Sequence, residues 1–350
     1  MANKIISIVA GGTAGHVFPA QALSEILGTK NEIIFFTDNR GAKYFHNQKK
    51  IEKIWISNIT GNILKRGWAL IKLGLSTIKC FYILKKKKVD IVIGFGGLAS
   101  FPVLFAAKYL KIPIILHEQN AVLGRANRFF LKDAELLAIS YEETIGAEKS
   151  NKVIYTGNPI RSIVFNVKRR RTKITKDIYI LVIGGSQGAS IFDDMIPQAL
   201  IKLPIETLQN IIVYQQAKDI VKVKDFYSKS HIKKAIVEDF FKEASQIMAD
   251  SDLVITRGGA SALSEIAHLG IPAIIIPIKN AADNHQWHNG KQAEKNSGFK
   301  VVENQRELQI TLEDLLVNGK LDNLKVEKKE NNAAQKLAIK VNEVIIKLRL

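Results

Sequence analysis

Ile5-Ile6-Ser7-Ile8-Val9-Ala10-Gly11-Gly12-Thr13-Ala14-Gly15-His16 is an apolar run that stops in two glycines and leads into a helix-length segment. The layout returns in the second half, where the apolar residues 178–183 run into Gly184-Gly185-Ser186-Gln187-Gly188. A third copy, Gly94-Phe95-Gly96-Gly97-Leu98-Ala99-Ser100, follows residues 91–93. A strand that ends in glycines before a helix presents backbone N–H groups at a helix end carrying partial positive charge, an arrangement that binds phosphate. Taken singly, each loop is equally a tight turn of an α/β fold. The first two do not fit the dinucleotide pattern G-x-G-x-x-G, and an acid at Asp38 does not rescue the first. A Walker A sequence is absent.

Working outward, short apolar runs alternate with helix-length segments along the whole chain. They lie at 5–10, 32–37, 89–94, 112–116 and 136–139, then at 178–183, 210–214, 234–237, 252–256 and 273–277. Continuous apolar character implies strands covered on both faces, and strand–helix alternation implies parallel sheets. The reading is an α/β chain of two Rossmann-like domains facing across a cleft, with ligands outside the carboxyl ends of the strands. The expected division is 1–161 and 162–334. The linker lies at Lys168-Arg169-Arg170-Arg171-Thr172-Lys173 or slightly upstream, near Asn158-Pro159. In the tail, Ala334, Leu337, Ala338, Val341, Val344, Ile345 and Leu348 follow helical spacing, so residues 335–350 form a helix that packs back on the first domain or docks on the second.

The chain has 350 residues, ample for two cores, with 47% hydrophobic and 24% charged residues, which speaks against disorder. Its formal net charge of +18 suits an anionic partner: nucleic acid, a membrane face or a phosphorylated substrate. No nucleic-acid recognition motif supports the first. Cys80 is the single cysteine, which excludes an intrachain disulfide and a cysteine-based zinc site. Residues 5–10 are too short for a signal peptide's apolar region, and residues 68–84, interrupted by Lys72 and Lys79, make a poor transmembrane helix. His285 and His288 are three apart without a third ligand nearby, so no metal site and no cofactor are expected.

Seven stretches together resemble the MurG family of peptidoglycan N-acetylglucosaminyltransferases. They are Gly11–Pro19, Gly94–Pro102, His117-Glu118-Gln119-Asn120-Ala121, Thr156-Gly157-Asn158-Pro159-Ile160-Arg161, Gly184–Ala189, Arg257–Glu265 and Asp283-Asn284-His285-Gln286. They occur in the family's order over nearly the whole chain; Ala14 departs from the more usual glycine. The resemblance implies a GT-B fold, UDP-N-acetylglucosamine as donor and lipid I, a polyprenyl-pyrophosphate-linked acceptor, as substrate. It also implies inversion at the anomeric carbon, and work at the cytoplasmic face of the bacterial inner membrane beside other wall-synthesis proteins. Alternatives are transfer to another lipid, a UDP-sugar epimerase or hydrolase, and a non-catalytic UDP-sugar-binding scaffold.

The chemistry of transfer needs a proton acceptor, charge on the leaving diphosphate and a grip on the donor. His16, titrating near neutrality, is a candidate general base; ordering the loop or bonding a phosphate are its other roles, and Glu118 is the alternative base. Ser186 and Gln187 are candidates to hold the diphosphate, Ser186 otherwise serving as a helix cap. Arg161 could neutralise phosphate or form a surface ion pair. Glu265 could accept ribose hydroxyls or favour a helix dipole. The resemblance implies donor contacts for Asn120, Gln286, Ala260, Ser261 and Ser264, backbone contacts for Thr13, Ala14 and Gly15, and places near the uracil pocket for Phe241 and Leu263.

Residues 60–89 contain eight basic and no acidic residues. Lys65, Lys72, Lys79 and Lys86 recur every seven positions, flanked by Trp68, Leu75 and Tyr82, with Gly67 and Gly74 as interruptions. The expectation is a peripheral contact with an anionic membrane surface: apolar side chains in the interface and Lys72 and Lys79 at headgroups. An ordinary buried helix with solvated lysines is the plainer alternative.

Overall fold

The computed structural model describes residues 3–45, 50–56, 62–170, 176–185, 188–278, 282–324, 326 and 330–347. The chain divides into two compact units, Met1–Arg161 with Asn331–Leu350, and Ser162–Glu330.

The first unit runs β1 (Ile5–Val9), α1 (Ala14–Leu27), β2 (Glu32–Thr37), β3 (Ile51–Lys53), α2 (Ile63–Lys86), β4 (Ile91–Gly94), α3 (Ser100–Tyr109), β5 (Ile114–Glu118), α4 (Arg125–Phe130), β6 (Leu136–Ile139) and β7 (Val153–Tyr155). All its strands are parallel, in the order β3-β2-β1-β4-β5-β6-β7. Ile8 pairs with Phe35 on one side and Ile93 on the other, so β1 is covered at both edges and both faces. The second unit runs α5 (Ser162–Asn166), β8 (Ile178–Ile183), α6 (Phe192–Leu200), α7 (Ile205–Leu208), β9 (Ile211–Gln216), α8 (Ile220–Ser228), β10 (Lys234–Glu238), α9 (Ala244–Asp250), β11 (Leu253–Thr256), α10 (Ala260–Leu269), β12 (Ala273–Ile275), α11 (His285–Ala293), β13 (Phe299–Val301), α12 (Gln305–Leu316) and α13 (Lys320–Asn323). Its strand order is β10-β9-β8-β11-β12-β13, again all parallel. Both sheets therefore reverse direction once, between β1 and β4 and between β8 and β11. At such a switch point two neighbouring loops diverge to opposite faces and leave room for a ligand.

The short edge strands β3, β7 and β13 are not legible as apolar runs. Each has three residues, and an edge strand needs apolar cover on fewer sides. The tail forms α14 (Ala333–Lys347), whose Leu337, Ala338 and Val341 are buried in one core with Val17, Ala20, Leu23 and Leu27 of α1. The tail helix thus covers one face of the first sheet, and α2 and α3 cover the other.

α2 is one continuous helix. Gly67 and Gly74 do not break it; the helix runs through both from Ile63 to Lys86, and nothing lies within 4 Å of a Cβ added at either. It is the described helix long and apolar enough, by length and composition, to cross a membrane. Only one stripe enters the core: Ala69, Ser76, Cys80 and Leu84, with the Ser76 hydroxyl accepting from Trp55 N and donating to Trp55 O. The opposite arc, with Ile63, Leu64, Trp68, Leu70, Ile71, Leu75, Ile78 and Tyr82, is exposed, against the expectation for an ordinary buried helix. Lys72 and Lys79 do not stand on that arc. At 100° per residue they flank the buried stripe, and Lys79 folds back to donate to Lys53 O at 2.8 Å and pair with Glu52 at 3.5 Å. Lys79 thus has partners within the first unit, beside the exposed apolar arc rather than on it.

His117, fully buried at the end of β5, donates through Nε2 to Gly157 O at 3.3 Å and accepts at Nδ1 from the Gln119 amide at 2.9 Å. Burial pushes its pKa down from 6.5 to about 4, against the Gly157 bond, which favours the cation. The unfolded chain takes up this proton first, so the stabilisation is complete above pH 6.5 and is lost as the pH falls towards 4. The loss over that window is on the order of 3 kcal/mol. Urea midpoints of the first unit are expected to fall more steeply between neutral pH and about pH 4.5 in the wild type than in His117→Gln. Parallel curves would assign the acid sensitivity to other groups.

Candidate functional site

In the first unit three loops meet at the β1/β4 switch point. Thr13 caps α1 without using its hydroxyl for the cap; Oγ1 lies 3.2 Å from His16 Nδ1 instead. The imidazole rests on the β4–α3 loop, where an added Cβ on Gly96 would lie 3.5 Å from both His16 Cδ2 and Asn127 Nδ2. Gly97, at φ +76°, brings that loop against Gly11, whose carbonyl oxygen would be 3.2 Å from a Cβ there. Asp38 braces the first loop: Oδ1 accepts from Gly12 N at 2.9 Å and Gly41 N at 2.8 Å. The acid that sits where a ribose acid would in a dinucleotide fold is therefore tied to the backbone through Oδ1 and to Arg40 Nε, at 3.3 Å, through Oδ2.

Glu118 is buried, and both carboxylate oxygens are used. Oε1 accepts from Asn120 N at 3.0 Å and Asn120 Nδ2 at 3.1 Å; Oε2 accepts from Gly124 N at 2.8 Å and Asn127 Nδ2 at 2.8 Å. Burial raises its pKa, the four donors opposing it. All four partners are N–H groups, and a carboxylate has about four lone-pair positions, so none is left to take a substrate proton. Glu118 holds Asn120 and the start of α4 in place, and the structure argues against it as the base. Asn127, which sequence reasoning did not single out, extends this network to the strand, its Nδ2 also donating to His117 O at 3.0 Å. Its Oδ1, like Gln119 Oε1 and both side-chain atoms of Asn158, is buried without a hydrogen-bond partner among the described residues. Asn127 gave no signal because it sits in a short helix of mixed composition. Arg161 stacks its guanidinium on the Phe18 ring, 4.5 Å from the centroid, which orders the cation one turn from His16's helix start.

In the second unit Gly184, Gly185 and Gly188 follow β8; Ser186 and Gln187 lie outside the described residues. Gly184 N donates to Gln216 Oε1 at 3.1 Å, and Gly188 N to Gly185 O at 2.9 Å. Two of the N–H groups the loop offers are thus already engaged. Beside it, Arg257 at the end of β11 donates to Gly188 O at 3.1 Å, while its Nε is buried without a partner among the described residues; burial lowers its pKa. Gly258 admits α11: a Cβ there would lie 1.9 Å from Gln286 O, and Asn289 Nδ2 donates to Gly258 O at 2.9 Å. Gln286 Oε1 accepts from Ile278 N. The stretches at 257–265 and 283–286 are therefore one assembly. On α10, Ala260 opens the helix with no acid in its first turn, Ser261 follows, Ser264 Oγ donates to Ala260 O, and Glu265 is buried.

Phe241 and Leu263 are core residues of one buried cluster, Phe241 with its ring edge-on to Tyr214. The exposed aromatic at this place is the neighbouring Phe240, 65% accessible against 8% for Phe241. Among the described residues no group of three His, Cys, Asp or Glu side chains could hold a metal ion, and His288 instead packs edge-on against Trp287.

Exchanging one Glu118 oxygen for an amide would aim an N–H group at N–H donors. Glu118→Gln is expected to destabilise the first unit by about 2–3 kcal/mol in thermal or urea unfolding, with loss of order in residues 119–127. An unchanged midpoint would show that the network is dispensable.

The N-terminal domain profile of glycosyltransferase family 28 matches residues 6–139, and its C-terminal domain profile matches residues 179–344. A curated relative from Wolbachia sp. subsp. Brugia malayi is named UDP-N-acetylglucosamine--N-acetylmuramyl-(pentapeptide) pyrophosphoryl-undecaprenol N-acetylglucosamine transferase. It is 39% identical over 96% of this chain and 95% of its own length. A relative of the same name from Rickettsia felis is 38% identical over 91% of this chain and 92% of its own. Among solved structures, MurG of Acinetobacter baumannii matches with TM-score 0.76 and 25% identity, covering 97% of this chain and 99% of that one. UDP-GlcNAc 2-epimerase from Neisseria meningitidis matches with TM-score 0.68 at 14% identity over 97% and 100% of the two chains, a likeness of fold alone. With both domain profiles matched in order and relatives aligned nearly end to end, this chain belongs to the MurG family of glycosyltransferase family 28.

Proposed function

We propose that this chain transfers N-acetylglucosamine from UDP-N-acetylglucosamine to the C4 hydroxyl of N-acetylmuramic acid in a polyprenyl-pyrophosphate-linked acceptor, with inversion. The observation that carries this reading is the near full-length match to relatives that bear the name of that reaction. In this reading His16 takes the acceptor proton through Nε2, while Nδ1–H donates to Thr13 Oγ1 and keeps the ring in the productive tautomer. The acceptor oxygen forms its bond to the anomeric carbon as the bond from that carbon to the β-phosphate oxygen breaks. The electron pair leaves with UDP, and the sugar passes through an oxocarbenium-like state. Arg161 meets phosphate charge, and Glu265 and Gln286 grip the donor.

UDP release from labelled donor is expected only when the lipid-linked acceptor is supplied. Steady turnover of donor alone would favour an epimerase or hydrolase. His16→Gln is expected to lower kcat by about 10²–10⁴-fold and to remove the acidic limb of the pH–rate profile, whereas Glu118→Gln lowers activity and keeps that limb. A limb lost in Glu118→Gln and kept in His16→Gln would reverse the assignment.

The same reading makes the enzyme peripheral to an anionic membrane. The exposed arc of α2 enters the interface, and Lys85 and Lys86, at its C-terminal end, meet headgroups. Leu75→Glu with Ile78→Glu is expected to reduce sedimentation with anionic vesicles by about tenfold or more while leaving turnover of a short-chain soluble acceptor unchanged. Equal vesicle binding by the double variant would remove α2 from the contact.

A further inference from the structure

The charge around the second glycine loop does not match what an anion needs from the loop alone. The helix that follows it, α6, carries Asp193 and Asp194 in its first turn, and carboxylates there offset the partial positive charge of a helix N-terminus. The N–H groups of Gly184 and Gly188 are already engaged. A diphosphate held here requires cations from elsewhere in the unit.

Lys218 stands where one is needed. It follows β9, the strand beside β8, in the turn Ala217-Lys218-Asp219. Its backbone is fixed from both sides. The buried Asp193 carboxylate accepts from Lys218 N at 3.1 and 3.2 Å and from Asp219 N at 2.8 Å, and Asp219 in turn caps α8 by accepting from Lys222 N at 3.0 Å. From that anchored stem the side chain lies across Gly188. A Cβ on Gly188 would be 2.6 Å from Lys218 Cε and 3.2 Å from Nζ, so the lysine's end lies directly over this glycine, which φ +66° favours there. Asp194, the nearby acid, is paired with Lys222 at 2.6 Å, and Asp193 is spent on backbone N–H groups. Among the described residues the Lys218 ammonium has no carboxylate partner. Arg257 grips the same turn, through Gly188 O.

Resting on the donor reading above, we propose that Lys218 is a further diphosphate-binding residue of this enzyme, a cation laid over the glycine turn to meet the phosphates of the sugar nucleotide. Asp193 then acts as its positioning residue rather than as an anion competing for the site.

The test is calorimetric titration of the full chain with UDP and with uridine. Lys218→Met keeps the aliphatic chain over Gly188 and removes the charge; Lys218→Arg restores it. Lys218→Met is expected to weaken UDP by about tenfold, the scale of one charge-assisted hydrogen bond, with uridine within about twofold of the wild type and Lys218→Arg near the wild type for both. The KM for UDP-N-acetylglucosamine should rise in parallel in Lys218→Met. Wild-type affinity for UDP in Lys218→Met, or an equal loss for UDP and uridine, would overturn the proposal. Wild-type protein that binds no UDP would instead overturn the donor reading on which it rests.

Discussion

A parallel sheet buried on both faces can offer polar chemistry only at the ends of its strands. That constraint organises each unit of this chain. The strands are apolar because helices cover them, so the polar side chains collect in the loops beyond the carboxyl ends. Where strand order reverses, two such loops diverge and leave space. The β1 and β4 loops in the first unit, and the β8 and β11 loops in the second, carry the glycine turns, His16 and Arg257.

The two units solve the same structural problem with opposite electrostatics. In the first, the α1 terminus has no acid in its first turn, and the nearby acids, Asp38 and Glu118, are buried and held by N–H donors. They shape the loops without presenting charge to a ligand. In the second, acids stand in the first turn of α6 itself, and cationic side chains from neighbouring strand ends lie over the glycine turn. α10, acid-free in its first turn and seated against α11 through Gly258, is the helix end of that unit better suited to an anion.

α2 shows how burial, not composition, assigns a face. The heptad of lysines and the flanking aromatics are visible in the chain, and on a helical projection the lysines look like a single stripe. Once the helix docks through Ala69, Ser76, Cys80 and Leu84, Lys72 and Lys79 fall at the borders of the docked side, and Lys79 is drawn to Lys53 O and Glu52. What remains exposed is the apolar arc, a large patch of the kind that soluble surfaces rarely carry without a partner.

The order of apolar runs and glycine turns along the chain was enough to determine two parallel α/β sheets, the loops that carry polar chemistry and the amphipathic tail helix. Continuous strands and sharp glycine turns are local properties, set by residues a few positions apart. Tertiary structure alone decided which groups meet. It surrounded the Glu118 carboxylate with donors from Asn120, Gly124 and Asn127, and it placed Phe241 and Leu263 in the core. It also added β3, β7 and β13 as edges too short to show a pattern, sent the tail to α1, and laid Lys218 over Gly188. Those encounters join residues tens to hundreds of positions apart. They depend on strand order and on which side of each helix finds apolar cover, and a linear pattern carries neither.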